Sequence, residues 1–132
     1  MKYTVLFTLL ICFTACKTDK TADLVEVIDC TDVKEGKFAY NDPIYGDWII
    51  ERKGDKNIET SPDTDLKIYS DIKWITDCEY ELHVQDVGNS DNMAVVSSTI
   101  RILITEVTEN GYKCIAYTNE GPQELEMIRV DG

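Results

Sequence analysis

From Cys30 onward the apolar residues recur at every second position, the period of strands that bury one face, rather than at the helical period of 3.6. Lys37-Phe38-Ala39-Tyr40 begins a strand that Asn41-Asp42-Pro43 ends. Ile44 to Lys53 predicts a second, with Trp48 and Ile50 on one face and Ile49 on the other. Gly54-Asp55-Lys56 has turn chemistry, so Asn57 to Thr60 is expected to pair back as a short strand. Ser61-Pro62-Asp63-Thr64-Asp65 interrupts the pattern. Beyond it Leu66, Ile68, Ile72 and Trp74 share a face, while Lys67, Asp71 and Lys73 point away. Asp77-Cys78-Glu79 turns the chain, and Tyr80, Leu82 and Val84 then alternate with Glu79, Glu81, His83 and Gln85. Gly88 to Asn92 is the longest loop signal. In the run from Ala94 to Val107, Ile100, Ile102 and Ile104 face one way and Arg101 and Thr105 the other, with Leu103 out of phase. Asn110-Gly111 predicts a type I′ hairpin, Tyr112 to Thr118 returns, Asn119 to Pro122 turns, and Leu125 to Val130 closes.

About eight strands at spacings of roughly 8–15 residues, with no convincing amphipathic helix, predict an all-β fold. The expected architecture is an antiparallel meander forming a small closed or half-open barrel of lipocalin-like kind, with a two-sheet sandwich as the alternative.

The start of the chain follows a different rule. Met1-Lys2-Tyr3-Thr4 is a short cationic start, and Val5 to Phe13 is an apolar run broken only by Thr8. It falls short of the roughly 20 apolar residues a spanning helix needs, and has the layout of a secretory signal. Its end, Phe13-Thr14-Ala15-Cys16, resembles the lipobox of bacterial lipoproteins, Phe13 standing where Leu is usual. That resemblance implies cleavage before Cys16 and acylation of Cys16 with palmitate-like chains. The other reading is an ordinary signal peptide that leaves Cys16 free. One acyl chain holds a protein only marginally, at about 0.8 kcal/mol per buried CH₂, whereas two or three make a lasting anchor. Lys17 rather than an acid after the Cys favours, by resemblance to enterobacterial sorting, the outer membrane. The expected organisation is a lipoprotein signal peptide at 1–15, the lipidated Cys16 with its tether at 16–29, and a β-barrel-like domain at 30–132.

Composition narrows the partners. The 132 residues carry 25 acids against 13 bases, a formal charge of −12. This length is one domain, and the charge argues against nucleic acid, which needs a basic footprint. Of five cysteines, Cys12 falls in the signal and Cys16 at the anchor. Cys30, Cys78 and Cys114 are left in a compartment where disulfides persist, with three pairings open and burial of all three as free thiols the alternative.

Little of the chain suggests catalysis, a cofactor or a metal. The single histidine, His83, lies on the polar face of its strand with no nucleophile near it. Cys114 shares a face with Tyr112 and Ala116, a packing position. Asp71, Asp77 and Glu79 lie near Trp74, but an acid-rich chain brings such neighbours together by chance. Asp63-x-Asp65 and the 86–92 loop offer oxygen ligands without an EF-hand spacing. The aromatic residues Tyr40, Tyr45, Trp48, Tyr69, Trp74, Tyr80, Tyr112 and Tyr117 are the remaining candidates. Trp48, Trp74, Tyr80 and Tyr112 are those expected to line any ligand site inside a barrel, the alternative being a filled interior.

The succession Cys30-x3-Lys34-x-Gly36-x-Phe38-x-Tyr40, Glu51-Arg52, Ile58-Glu59 and Ile72-Lys73-Trp74-Ile75-x-Asp77-Cys78-Glu79-Tyr80-x-Leu82 resembles a group of small uncharacterised envelope lipoproteins of Bacteroidota-type bacteria, over about residues 30–105. The resemblance implies an all-β fold and a Cys30–Cys78 disulfide, and brings no activity. Some members carry the label DNA topoisomerase IV. Such an enzyme needs a large cleavage domain with a nucleophilic Tyr, metal-binding carboxylates and basic channels, none of which suits a short, acidic, exported chain. Gly46-Asp47-Trp48 also resembles the Gly-x-Trp of lipocalins. The expected function is that of a non-enzymatic envelope lipoprotein, an interaction or accessory module beside another envelope protein. The alternative is a binding protein for a small apolar ligand inside the barrel.

Overall fold

The computed structural model describes residues 27–130; the expected signal peptide, Cys16 and most of the tether lie outside the described residues. Eight strands follow one another: β1 (Gly36–Asp42), β2 (Gly46–Lys53), β3 (Lys56–Thr60), β4 (Lys67–Thr76), β5 (Glu79–Gly88), β6 (Thr99–Thr108), β7 (Gly111–Thr118) and β8 (Gly121–Arg129). Each pairs antiparallel with the next and β8 returns to β1, which closes the sheet into a barrel. Closure removes the free edges that an open meander would leave exposed.

The alternation puts Phe38, Ile50, Ile72, Leu82, Ile102 and Ile104 inside, all of them buried. Charged residues between them, such as Glu51, Lys73 and Arg101, are exposed outside. Trp48 and Ile50, then Tyr80, Leu82 and Val84, share the inner face as their spacing predicts. Three irregularities, at Tyr69/Ser70 and Trp74/Thr76 against β5 and at Ile104/Glu106 against β7, absorb the places where the register slips.

Four boundaries differ from the sequence expectation. β1 runs on through Asn41 and Asp42, because Asp42 still faces Gly46 across the β1–β2 ladder. Its carboxylate then accepts the amides of Ile44 and Tyr45 at 2.7 and 2.9 Å, which holds those two residues in the turn rather than in β2. β6 starts at Thr99, not near Ala94. The preceding residues form a turn with Ser97 at φ 70°, tied back by reciprocal Val84–Ser98 and Ser97–Val84 backbone bonds. β8 already begins at Gly121, four residues before Leu125. The β6–β7 hairpin is not type I′: its central residues are Glu109 and Asn110, neither with positive φ, and Gly111 opens β7 opposite Thr108.

One end of the barrel is plugged. A 3-10 turn, Thr31–Val33, folds under it with Val33 buried. Cys30 is bonded to Cys78 in the β4–β5 turn, at a sequence separation of 48 and with Cα atoms 5.4 Å apart, so the pairing implied by the resemblance is the one found. Lys34 reaches Asp77 at 3.1 Å and lies 4.9 Å from the centroid of the Trp74 ring. Arg129 lies over Phe38 and donates to the carbonyl of Asp32. The other end is a rim made by the connections at 43–45, 61–66, 89–98 and 119–120.

Closure is uneven around the barrel. β1 and β8 share only the pairs Phe38↔Arg129 and Ala39↔Ile128, extended by the Val130 amide to the Lys37 carbonyl at 2.9 Å. Toward the rim the two strands part, and a side-chain bond from Gln123 to Asp42 at 3.3 Å spans the seam.

Candidate functional site

The register that places Trp48 and Ile50 inside also places Arg52 inside, two residues further along the same face. Across the ladders Arg52 faces Asn57, and Asn57 faces Ser70, so three polar side chains occupy one inward row on β2, β3 and β4. All three are buried, Arg52 to 2 % exposure. The Arg52 guanidinium lies 4.9, 5.2 and 5.1 Å from the ring centroids of Phe38, Tyr80 and Tyr112. Each such contact contributes about 0.5–2 kcal/mol, which explains how a cation is tolerated in a barrel interior. Nη2 donates to the Tyr112 hydroxyl, which lies 3.4 Å from that of Tyr80. Nε and Nη1 of Arg52, and Oγ of Ser70, find no partner in the protein.

A second polar group adjoins the first. Glu59 accepts from the Tyr40 hydroxyl at 3.0 Å and from Asn57 Nδ2 at 3.1 Å. Burial raises its carboxyl above the usual range, against the pull of those two hydrogen bonds and of Arg52. A carboxyl raised in the folded chain holds its proton more tightly there than in the unfolded chain. Its stabilising share is complete below the ordinary carboxyl range and is lost as the pH climbs through the raised value. Glu59→Gln is therefore expected to melt higher than the native chain near pH 8, with the gain gone near pH 4, as thermal unfolding at the two pH values will show.

Burial and the neighbouring Tyr80 push the Tyr112 hydroxyl well up, and burial pushes the Cys114 thiol up to about 12, although Arg52 pulls it down. A thiol held so firmly protonated is a packing group rather than a nucleophile. His83 stands on the outer face between Glu81 and Thr99, at 3.1 and 3.2 Å, with no nucleophile among its hydrogen-bond partners. Among the described residues no three His, Cys, Asp or Glu side chains are placed to hold a metal ion.

The four aromatic residues expected around a ligand all point inward but pack on the protein itself. Trp74 and Tyr80 rings lie 4.7 Å apart, and Tyr112 meets Phe38 edge-on at 5.2 Å. Trp48 stands apart from this cluster, opposite Tyr40. Two surface clefts, of about 530 and 450 Å³, lie elsewhere, one along Glu35–Lys37 and Glu51–Lys53, the other across β6, β7 and β8 around Thr105, Lys113 and Glu124. Neither is lined by these four residues. The sequence reading passed over Arg52, Asn57 and Ser70. Their signal was phase alone, since each continues the parity of the buried residues on its strand or its partner's.

The chain matches no protein-family model, no curated protein and no solved structure.

Proposed function

We propose that this protein is a non-enzymatic envelope lipoprotein, held by Cys16 at the outer membrane, whose barrel is an interaction module for another envelope protein. The observation that carries the reading is a filled interior beneath an apolar rim. Phe38, Tyr80 and Tyr112 leave the aromatic interior closed, whereas Ile44 and Tyr45 are 65 and 64 % exposed in the β1–β2 turn. Met93 and Val95 are also exposed, in the β5–β6 connection at the same end. Large apolar side chains left in water at loop tips are surface that association can bury, at about 25 cal/mol per Å². The chain joins the domain at Cys30, at the opposite end, so a tether to a membrane leaves this rim free.

Two experiments test this. Photo-crosslinkers placed at Tyr45 and, as a control, at Asp55 on the plugged end are activated in intact cells. A discrete adduct from position 45, abolished by Ile44→Glu and absent from position 55, is expected. Equal labelling from both ends, or from neither, overturns the module reading, as does an apolar molecule that co-purifies at one per chain. Separately, Cys16→Ser should move the protein from the membrane pellet to the soluble fraction, and retention in the pellet refutes the anchor.

A further inference from the structure

The connections that form the rim differ in charge from the opposite end of the barrel. Residues 43–45, 61–66, 89–98 and 119–120 carry Asp63, Asp65, Asp91 and Glu120, all exposed, and no lysine or arginine. Asp42 and Asp47 flank the first of these connections and add two more acids. Among the described residues Lys67, at the start of β4, is the one base that adjoins a rim connection, whereas Lys34, Lys53, Lys56 and Arg129 stand at the plugged end. None of the ion pairs of the described residues includes any of the six rim acids. The side chains that do bond them are neutral: Asn41 to Asp47 at 2.7 Å, Asn89 to Asp65 at 3.0 Å and Gln123 to Asp42 at 3.3 Å.

These pieces form one surface. Asn89 joins the 89–98 connection to Asp65, and a Cβ on Gly46 would lie 3.9 Å from the Asp63 carboxylate, which brings 61–66 up to the β1–β2 turn. Gln123 ties the start of β8 to the end of β1. The exposed Ile44, Tyr45, Met93 and Val95 stand on the same connections as the acids. Spread and sign then select the occupant. Among the described residues no three acids are placed to hold a metal ion, so one small cation does not answer charges distributed around the mouth. A lipid surface and a nucleic acid are both anionic, and such a rim repels them. Positive charge spread over a face, with apolar side chains to cover Ile44 and Tyr45, is a property of a protein. We propose that the rim docks a protein whose contacting face is basic, with lysine and arginine around an apolar centre. This rests on the reading of the rim as an interaction surface and supplies the chemistry of its partner. Opposite charge speeds the encounter, and like charge turns acidic proteins away.

The test uses the full chain in intact cells with the photo-crosslinker at position 45. Asp63→Lys with Asp91→Lys reverses two rim charges, and Asp55→Lys with Glu109→Lys makes the same change in net charge at the plugged end. The rim pair should cut the adduct about tenfold and the plug pair should leave it unchanged. Should the rim pair not fold, Asp63→Asn with Asp91→Asn, which keeps the size of each side chain, should lower the yield about threefold. Sequenced by mass spectrometry, the partner peptide joined to position 45 should contain more Lys and Arg than Asp and Glu. An adduct that forms at 45 and not at 55, yet is indifferent to the rim substitutions or joined to an acidic peptide, overturns the basic face and leaves the interaction module standing. Absence of any adduct from position 45, or an adduct to lipid, overturns the module and this proposal with it.

Discussion

A chain carrying both Cys30→Ala and Cys78→Ala is expected to be less stable than the native protein by about 4 kcal/mol. The bridge spans 48 residues, and closing a loop of that length removes chain entropy of about this size from the unfolded state. For a domain of roughly 100 residues the thermal midpoint should fall by about 15–30 °C. The effect is larger than one covalent bond suggests, because the bridge also fixes the plug. Val33, buried beneath the barrel, and Lys34, on Trp74 and Asp77, follow within four residues of Cys30, which the bridge holds against the β4–β5 turn, so both contacts are expected to loosen with it. Calorimetry of the double variant beside native protein in reductant measures this. The two should coincide, and a loss of under about 1 kcal/mol in both would show that the plug stands without its bridge.

Gly111→Ala should cost about 3 kcal/mol or more, although it adds a single methyl group. A Cβ built on Gly111 would lie 1.8 Å from the carbonyl oxygen of Met127 and 2.9 Å from its carbon. Both are backbone atoms of β8, so no side chain can swing aside. The strand itself must move, and overpacking of this kind costs about 1–3 kcal/mol even where side chains yield. β8 has little freedom there, because Arg129 donates its amide to Asn110 and Ile128 supplies half of the β1–β8 pairing. Gly54→Ala is the control: its φ of +59° is unfavourable for alanine, but nothing lies within 4 Å of the new methyl. That change should cost about 1–2 kcal/mol, the ordinary penalty for a left-handed residue. Urea midpoints of the two variants test the contrast, and equal losses would refute the close approach of β7 to β8.

Both predictions turn on contacts between distant parts of the chain, and this is where the sequence became illegible. Strand positions and faces followed from alternation, because a barrel wall has one dry and one wet side and residues such as Tyr80, Leu82 and Val84 announce it. Loop boundaries did not follow. Whether Ile44 and Tyr45 continue a strand depends on the Asp42 carboxylate taking their amides, a geometric choice that hydrophobicity does not encode. The Asn110-Gly111 pair misled for a related reason: Gly111 is not a central residue of the turn but opens β7, where its φ of +155° and the close approach of β8 both require glycine. Arg52 was hidden most thoroughly, since a charged residue on an inward phase reads as an irregularity until three rings from β1, β5 and β7 are seen around it. Several residues that carry the resemblance to small envelope lipoproteins, among them Cys30, Lys34, Phe38, Arg52, Glu59, Trp74, Cys78 and Tyr80, end up in the plug or the interior. They describe how the barrel is built, which is why they pointed to a fold and to no chemistry.

The disulfide also decides how the domain bears a mechanical load. A pull on the chain ahead of Cys30 would otherwise peel β1 from the seam, where only two residue pairs join it to β8. The bridge instead passes the force across to Cys78, at the turn of the β4–β5 hairpin, whose ladder holds nine residue pairs. The weakest junction of the barrel is thereby taken out of the line of tension, and the strongest hairpin is put into it.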